Sequence, residues 1–229
     1  DEPFSAAVYS EKNAKALIAE ILGNHFTLDF DAALDNETVT GYIPDCTKRE
    51  ALQQIVFALC ATIDTSASRG VRVRKITTAS PAEIPLDRTY TGGSVETAAV
   101  VTEVRVTAHS YSTSGSGESV EVGGVTYYHT ATVTTKKNPE ITNQTKPNVI
   151  EVKDATLVNS ENVSAVAQHV YDYYMRRQTH SVRIVMDKEV PGDYVQTTTP
   201  WGTKITGTIT SMNIRLSGIA AAECKIIGT

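Results

Sequence analysis

No apolar run in the 229-residue sequence approaches the roughly 18 to 20 residues that cross a bilayer as a helix, so no membrane role is expected. Cysteine is scarce. Cys46, Cys60 and Cys224 have no C-x-x-C spacing, which excludes a disulfide framework and a zinc knuckle and fits a reducing compartment. Positive charge is not in excess: 21 Lys and Arg stand against 26 Asp and Glu, a net charge of -5. Tight nucleic-acid binding draws most of its affinity from clustered cations on phosphates, and this balance argues against it. The start, "DEPFSAAVYSEKNAK", has none of the charged, apolar and small-residue order of a secretory leader.

The rest is the composition of an ordinary globular protein, with 41% hydrophobic and 21% charged residues, long enough for two modest domains. From Ser10, "SEKNAKALIAEILGNH" places Ala14, Leu17, Ile18, Ile21 and Leu22 on one helical stripe, stopped by Gly23-Asn24. A second helix is announced by Thr47 and Glu50, the spacing of a capping box. Leu52, Ile55, Val56, Leu59 and Ile63 follow at helical spacing, and Ala51, Phe57, Ala58 and Cys60 widen the arc until little of the helix can face water. Leu52, Ile55, Val56 and Leu59 are therefore expected in the core of the first domain. "ATIDTS", the turn "SRG" and "VRVRKI" read as a strand pair on that helix, with the basic residues of Ser68 to Ile76 on a solvated face. "TTASPAEIPLDRTYTGGS" reads as a linker.

Beyond it the period becomes two. "ETAAVVTEVRVTAHSY" buries Ala98, Val100, Val104, Val106 and Ala108 and turns Glu103, Arg105, Thr107 and His109 outward. After a flexible "STSGSGE" tip, "SVEVGGVTYYHTATVTT" predicts a hairpin turning at Gly123-Gly124, and "NVIEVKDATLV" adds a short strand. One helix interrupts near 161–178, carrying Val163, Val166, Ala167, Val170, Tyr171 and Tyr174 on one face and Arg176 and Arg177 in its last turn. Four strands close the chain, separated by "EVPG", "PWG" and "SG" turns, and the longest needs a bulge near Thr210 and Ser211 to keep one buried face. The expected fold is α+β. A small α/β domain at 1–80 with two helices precedes a mainly antiparallel, barrel-like domain at 88–229 carrying one helix, with strands Val100 to Tyr111 and Ile205 to Leu216 as its wall.

Chemical candidates are few. Cys46 lies at a helix N-terminus, where a thiol pKa can fall, with His25 the nearest possible base in sequence. Cys60 and Cys224 read as small buried hydrophobes. His109 and His129 can face each other across the strands, most simply as a cross-strand polar pair. None of the five histidines, His25, His109, His129, His169 and His180, pairs at zinc-ligand spacing. "DFDAALDNE", Asp29 to Glu37, lacks the central glycine and regular spacing of a calcium loop and reads as a solvated acidic loop. "SGSG" lacks the lysine of a phosphate-binding loop. Asn36, Asn143 and Asn162 begin N-x-[ST] triplets, which matter only in a chain secreted by a eukaryote. No nucleophile, base and electrophilic stabiliser come together, so no catalytic, cofactor or metal residues and no small-molecule substrate are expected.

The run "TGYIPDCTKREALQQIVFALCATIDTS", continuing through "SRGVRVRKI", resembles tail tip or baseplate hub proteins of phages and prophages of Gram-positive bacteria. "DRTYTGGSVETAAVVTEVRVTAHSY" and "PGDYVQTTTPWGTKITGTITSMNIRLSGIAAAECKIIG" are similar to hub sequence as well. The resemblance implies a non-enzymatic structural protein of the virion tail, made in the bacterial cytoplasm, forming a homotrimer around the tail axis and joining tube to tip beside other tail proteins. Such hubs are longer, so it also implies that this chain corresponds to part of one. The alternative reading is a secreted or surface β-rich module recognising a glycan or protein through Ser112 to Glu118 and Trp201.

Overall fold

A computed structural model describes residues 2–65, 69–76, 80–142, 146–217 and 219–229. The elements begin with β1 (Pro3–Phe4), β2 (Ala7–Asn13), α1 (Ala14–Leu22), β3 (Thr27–Phe30), β4 (Thr38–Ile43), β5 (Cys46–Thr47) and α2 (Lys48–Ala58). They continue with β6 (Ala61–Asp64), β7 (Gly70–Lys75), β8 (Ala82–Glu83), β9 (Ser94–Thr97), β10 (Glu103–Ser112), β11 (Ser119–Val122), β12 (Val125–Lys137) and β13 (Val149–Val152). The last are α3 (Val163–Met175), β14 (Gln178–Val185), β15 (Tyr194–Thr198), β16 (Lys204–Ser217) and β17 (Ile219–Gly228). Three helices among many strands make the fold α+β, and one sheet curls as a half-barrel.

By packing, the chain forms two compact units. One holds Asp1–Thr77, Glu103–Asn143 and Val149–Tyr171; the other holds Thr78–Thr102, Gln144–Asn148 and Asp172–Thr229. The expected division at 1–80 and 88–229 cuts the chain once, whereas these units alternate along it.

In the first unit the capping box is formed as the sequence predicts. Thr47 N–H donates to Glu50 Oε2 at 2.8 Å, and Glu50 N–H donates to Thr47 Oγ1 at 3.2 Å. Leu52, Ile55, Val56 and Leu59 are buried with the α1 stripe, Val39, Ile43, Val71 and Val73. The first helix begins later than expected, because residues 7–13 pair with β4 and Asn13 caps α1 through Ala16 N–H at 3.0 Å. β6 and β7 pair as expected, but β7 also has a parallel partner, β3, whose last two residues, Asp29 and Phe30, open the segment read as an acidic loop. Asp29 on β3 meets Arg72 and Arg74, Arg72 also approaches Asp64 at 3.7 Å, and Asp31 accepts Lys75 N–H at 3.1 Å. The basic strand is thus neutralised by its own unit. Ser68 of the "SRG" turn lies outside the described residues.

Four strands of this unit form a sheet ordered β11-β12-β10-β13. Gly123 and Gly124 turn the hairpin with φ of 58° and 78°. β13 pairs parallel with β10, so the sheet is mixed. The expectation that residues 100–111 and 205–216 share one barrel wall is corrected: β10 lies here and β16 in the six-stranded sheet. Alternation identifies a buried face without saying which sheet it belongs to.

Residues 153–162 bind this sheet to the helical part. His109 N–H donates to Val158 O at 2.7 Å, Tyr42 N–H approaches Thr156 O at 3.4 Å, and Thr156 Oγ1 donates to Tyr42 O. Asn159 Nδ2 donates to Thr40 O at 3.1 Å, and Asn162 Nδ2 to Leu157 O at 3.1 Å. Leu157 completes the core. Gly41 makes this approach possible. Its φ is 139°, and a Cβ there would strike the Thr156 carbonyl and stand 3.1 Å from Leu157 Cα.

The second unit contains the six-stranded sheet, ordered β8-β15-β16-β17-β14-β9, over a core of Ile84, Val182, Ile184, Val195, Ile209, Ala222, Cys224 and Ile226. The register shifts between Ile209 and Ser211, where the sequence calls for a bulge. Gly207 faces Gly228, and a Cβ on Gly207 would lie 2.7 Å from Gly228 Cα, so only glycine allows this curl. The expected linker is integral here: β8 pairs with β15, Ile84 enters the core, and Arg88 donates to Glu189 at 2.6 Å. The third helix ends at Met175, before Arg176 and Arg177. The "SG" turn at Gly218 lies outside the described residues.

Gly41→Ala is expected to lower unfolding free energy by of order 1–3 kcal/mol, since it combines an unfavourable φ with a backbone collision. Urea denaturation checks this, and a loss below about 0.5 kcal/mol would mean that residues 153–162 do not press on β4.

Candidate functional site

A buried polar cluster forms where Lys153 and Val158 lie against His109 of β10. Alternation sends His109 outward, but those residues bury it. His109 Nε2 lies 2.8 Å from Lys153 O, a carbonyl that can only accept, so this nitrogen carries the proton. Nδ1 is then the acceptor for His129 Nε2–H at 2.9 Å. His129 Nδ1 faces Glu118 Oε2 at 3.4 Å. The rings stack with centroids 5.1 Å apart, and Tyr111 stacks on His129 at 5.0 Å with Tyr42 tilted against Tyr111. The expected His109–His129 pairing is present as a diagonal pair, since His109 opposes Ala131 and Tyr111 opposes His129.

A proton on His109 Nδ1 would leave that nitrogen unable to accept and would break the His–His bond. Burial lowers the His109 pKa; the Lys153 carbonyl pulls it back, and His129 lowers it again. Burial and neighbouring Tyr42 push the Tyr111 pKa up to about 12, so its hydroxyl stays protonated. His180, on β14 of the other unit, is wholly buried with neither ring nitrogen hydrogen-bonded among the described residues, and burial lowers its pKa.

The other candidates are dispersed. Cys46 lines a groove of about 700 Å³ in the first unit with Glu50, Gln54, Phe57 and Asp154. Burial, and then Glu50, raise its thiol pKa, the reverse of activation. His25 lies exposed in a 3-10 turn after α1. Burial pushes the Cys60 and Cys224 thiols up to about 11. Asn162 is used structurally between Asn159 and Leu157, Asn36 is exposed, and Asn143 lies outside the described residues. Among the described residues, no cluster of three or more His, Cys, Asp or Glu is placed to hold a metal, and no helix is long and apolar enough to cross a membrane. Trp201 is 64% exposed but lines neither the Cys46 groove nor a second groove of about 550 Å³ beside Arg183 and Lys225.

No protein-family model and no curated protein matches the sequence. Solved structures do match. The 43 kDa tail protein of prophage MuSo2 from Shewanella oneidensis aligns with a TM-score of 0.64 at 10% identity, over 99% of this chain and 67% of its own. The chain has a phage tail-protein fold. A tail protein from Neisseria meningitidis MC58 gives a TM-score of 0.61 at 13% identity, over 98% of this chain and 69% of its own. A chain of the virion of a native gene transfer agent particle gives 0.58 at 15% identity, over 93% and 47%. At such identities the tail-protein fold is what is shared, and no residue's role carries across with it.

Acid is expected to destabilise the protein through its buried rings. A lowered folded pKa means that the unfolded chain binds more protons as pH falls below the ordinary histidine value of 6.5, so the stability present above it is progressively lost. Each ring contributes a slope of at most about 1.4 kcal/mol per pH unit. Thermal melts should be flat from about pH 8 to 7 and fall below 6.5. His180→Leu should shrink the fall, and an unchanged profile would contradict the assignment.

Proposed function

We propose that the chain is a non-enzymatic structural component of the hub or tip of a phage or prophage tail, with three copies arranged around the tail axis in contact with other tail proteins. The observation that carries this reading is the tail-protein fold, matched along nearly the whole chain in two tail proteins. The charge arrangement supports it. A part lining or joining a DNA conduit must not hold DNA, and here the cations of basic strand β7 are paired, Arg72 and Arg74 with Asp29 and Asp64 and Lys75 with Glu37, within a chain of net charge -5. Trp201, the stacking platform of the alternative reading as a binding module, is exposed and borders neither of the two grooves described above.

Immunogold labelling of particles from the producing strain tests the location: label at the tail end is expected, and label confined to the capsid or to particle-free protein would overturn it. Light-scattering mass of the chain, alone and with neighbouring tail proteins, tests the copy number. Assemblies of three are expected, and a strictly monomeric chain under both conditions would remove the ring.

A further inference from the structure

Two strands leave long stretches of backbone without a neighbour. On β12, β11 covers only Val125 to Tyr128, so the outer side of Thr130 to Lys137 has no partner strand among the described residues. His129 N–H is taken by Glu118 O at 2.8 Å on that same side. By the two-residue period, the outward groups beyond it are those of Ala131, Val133, Thr135 and Lys137. On β16, β15 covers only Lys204 to Thr208, so residues 211–217 are likewise open on one side.

The direction of the β16 groups follows from its partner. Thr206 and Thr229 exchange both backbone bonds, at 3.0 and 3.1 Å, so the odd residues of β17 bond to β16. After the bulge those residues oppose Ser211, Asn213 and Arg215. The groups of Met212, Ile214 and Leu216 therefore face the open side.

Natural proteins blunt such edges with proline, lysine and other charges, a bulge, short length or cover. Here the charges are Lys136, Lys137 and Arg215 and the β16 bulge precedes Ser211, which leaves Ala131 to Thr135 and Met212 to Ile214 without any of these devices. Residues 130–137 and 211–217 contain neither proline nor glycine. Both carry exposed apolar side chains at the outward positions, with Val133 62%, Ile214 46% and Leu216 82% exposed. We propose that these edges pair with each other between copies, β16 of one chain adding antiparallel to β12 of the next. Val133 then opposes Ile214, Ala131 opposes Leu216 and Thr135 opposes Met212. Each pair joins outward groups to outward groups and exchanges two backbone bonds. Apolar side chains meet apolar ones at the first two pairs. A parallel alignment on the same Val133–Ile214 match would bring Arg215 towards Lys136 on one face and set Leu216 against Thr135, so charge and packing both select the antiparallel arrangement. The contact joins two different surfaces and is therefore heterologous, the type that generates a ring when its rotation closes. This inference rests on the ring assembly proposed above and names the strands that make it.

Disulfide trapping tests it, with Cys46→Ser and Cys60→Ser as background. Val133→Cys and Ile214→Cys chains, mixed and oxidised, should cross-link to one another, since a hydrogen-bonded antiparallel pair places its Cα atoms about 5.5 Å apart, within disulfide range. Neither variant alone should cross-link comparably. Adding Thr135→Pro to the Val133→Cys chain should cut the yield at least tenfold with its melting temperature nearly kept, because the N–H removed points away from β10. Cross-linking of Val133→Cys with itself at equal yield would overturn the pairing. Trimers by light scattering without the mixed cross-link would sink the pairing but leave the ring, and monomers without cross-links would sink both.

Discussion

The close approach of Thr156 and Leu157 to Gly41 is the contact on which the first unit depends. Residues more than a hundred positions apart touch there through backbone, at a strand position where no side chain fits. Once Thr156 lies against β4, Leu157 enters the core beside the α1 and α2 residues, and Asn159 and Asn162 satisfy carbonyls of Thr40 and Leu157. The same segment places the Lys153 carbonyl over His109. Core, polar cluster and cover are consequences of one route taken by the chain.

Electrostatics and open edges together give the protein its outward character. The cations of β7 are spent on carboxylates of its own unit, so the chain presents no basic stripe there. What it presents instead is backbone: the outer side of β12 and the outer half of β16, each with apolar side chains in alternation. Those features suit a protein whose partners are other protein strands, and they accord with the tail-protein fold.

Local signals in the sequence were legible and long-range ones were not. The Thr47–Glu50 box, the α1 stripe, the Gly123-Gly124 turn and the bulge after Ile209 each depend on a few adjacent residues, and each appears in place. β3 was missed because four residues containing an aspartate, paired parallel to a distant strand, make no period of their own. The burial of His109 escaped notice because the cover comes from residues 153–158, and a strand's alternation shows two faces without showing which is covered. One signal was available in "TGYIP": a glycine inside a strand marks a place where other backbone comes close. The integral role of residues 82–89 was hidden by prolines, which mark irregular backbone without saying whether it is packed.

If residues 153–162 make the helical part and the β10 sheet one cooperative body, native-state hydrogen exchange across a denaturant series should show it. Amides of Val39 and Ile43 on β4, Ile55 on α2, and Val104 and Val106 on β10 are expected to merge into one global opening reaction with a common free energy. Separate openings, with the β10 amides exchanging well below the free energy of β4 and α2, would contradict the account.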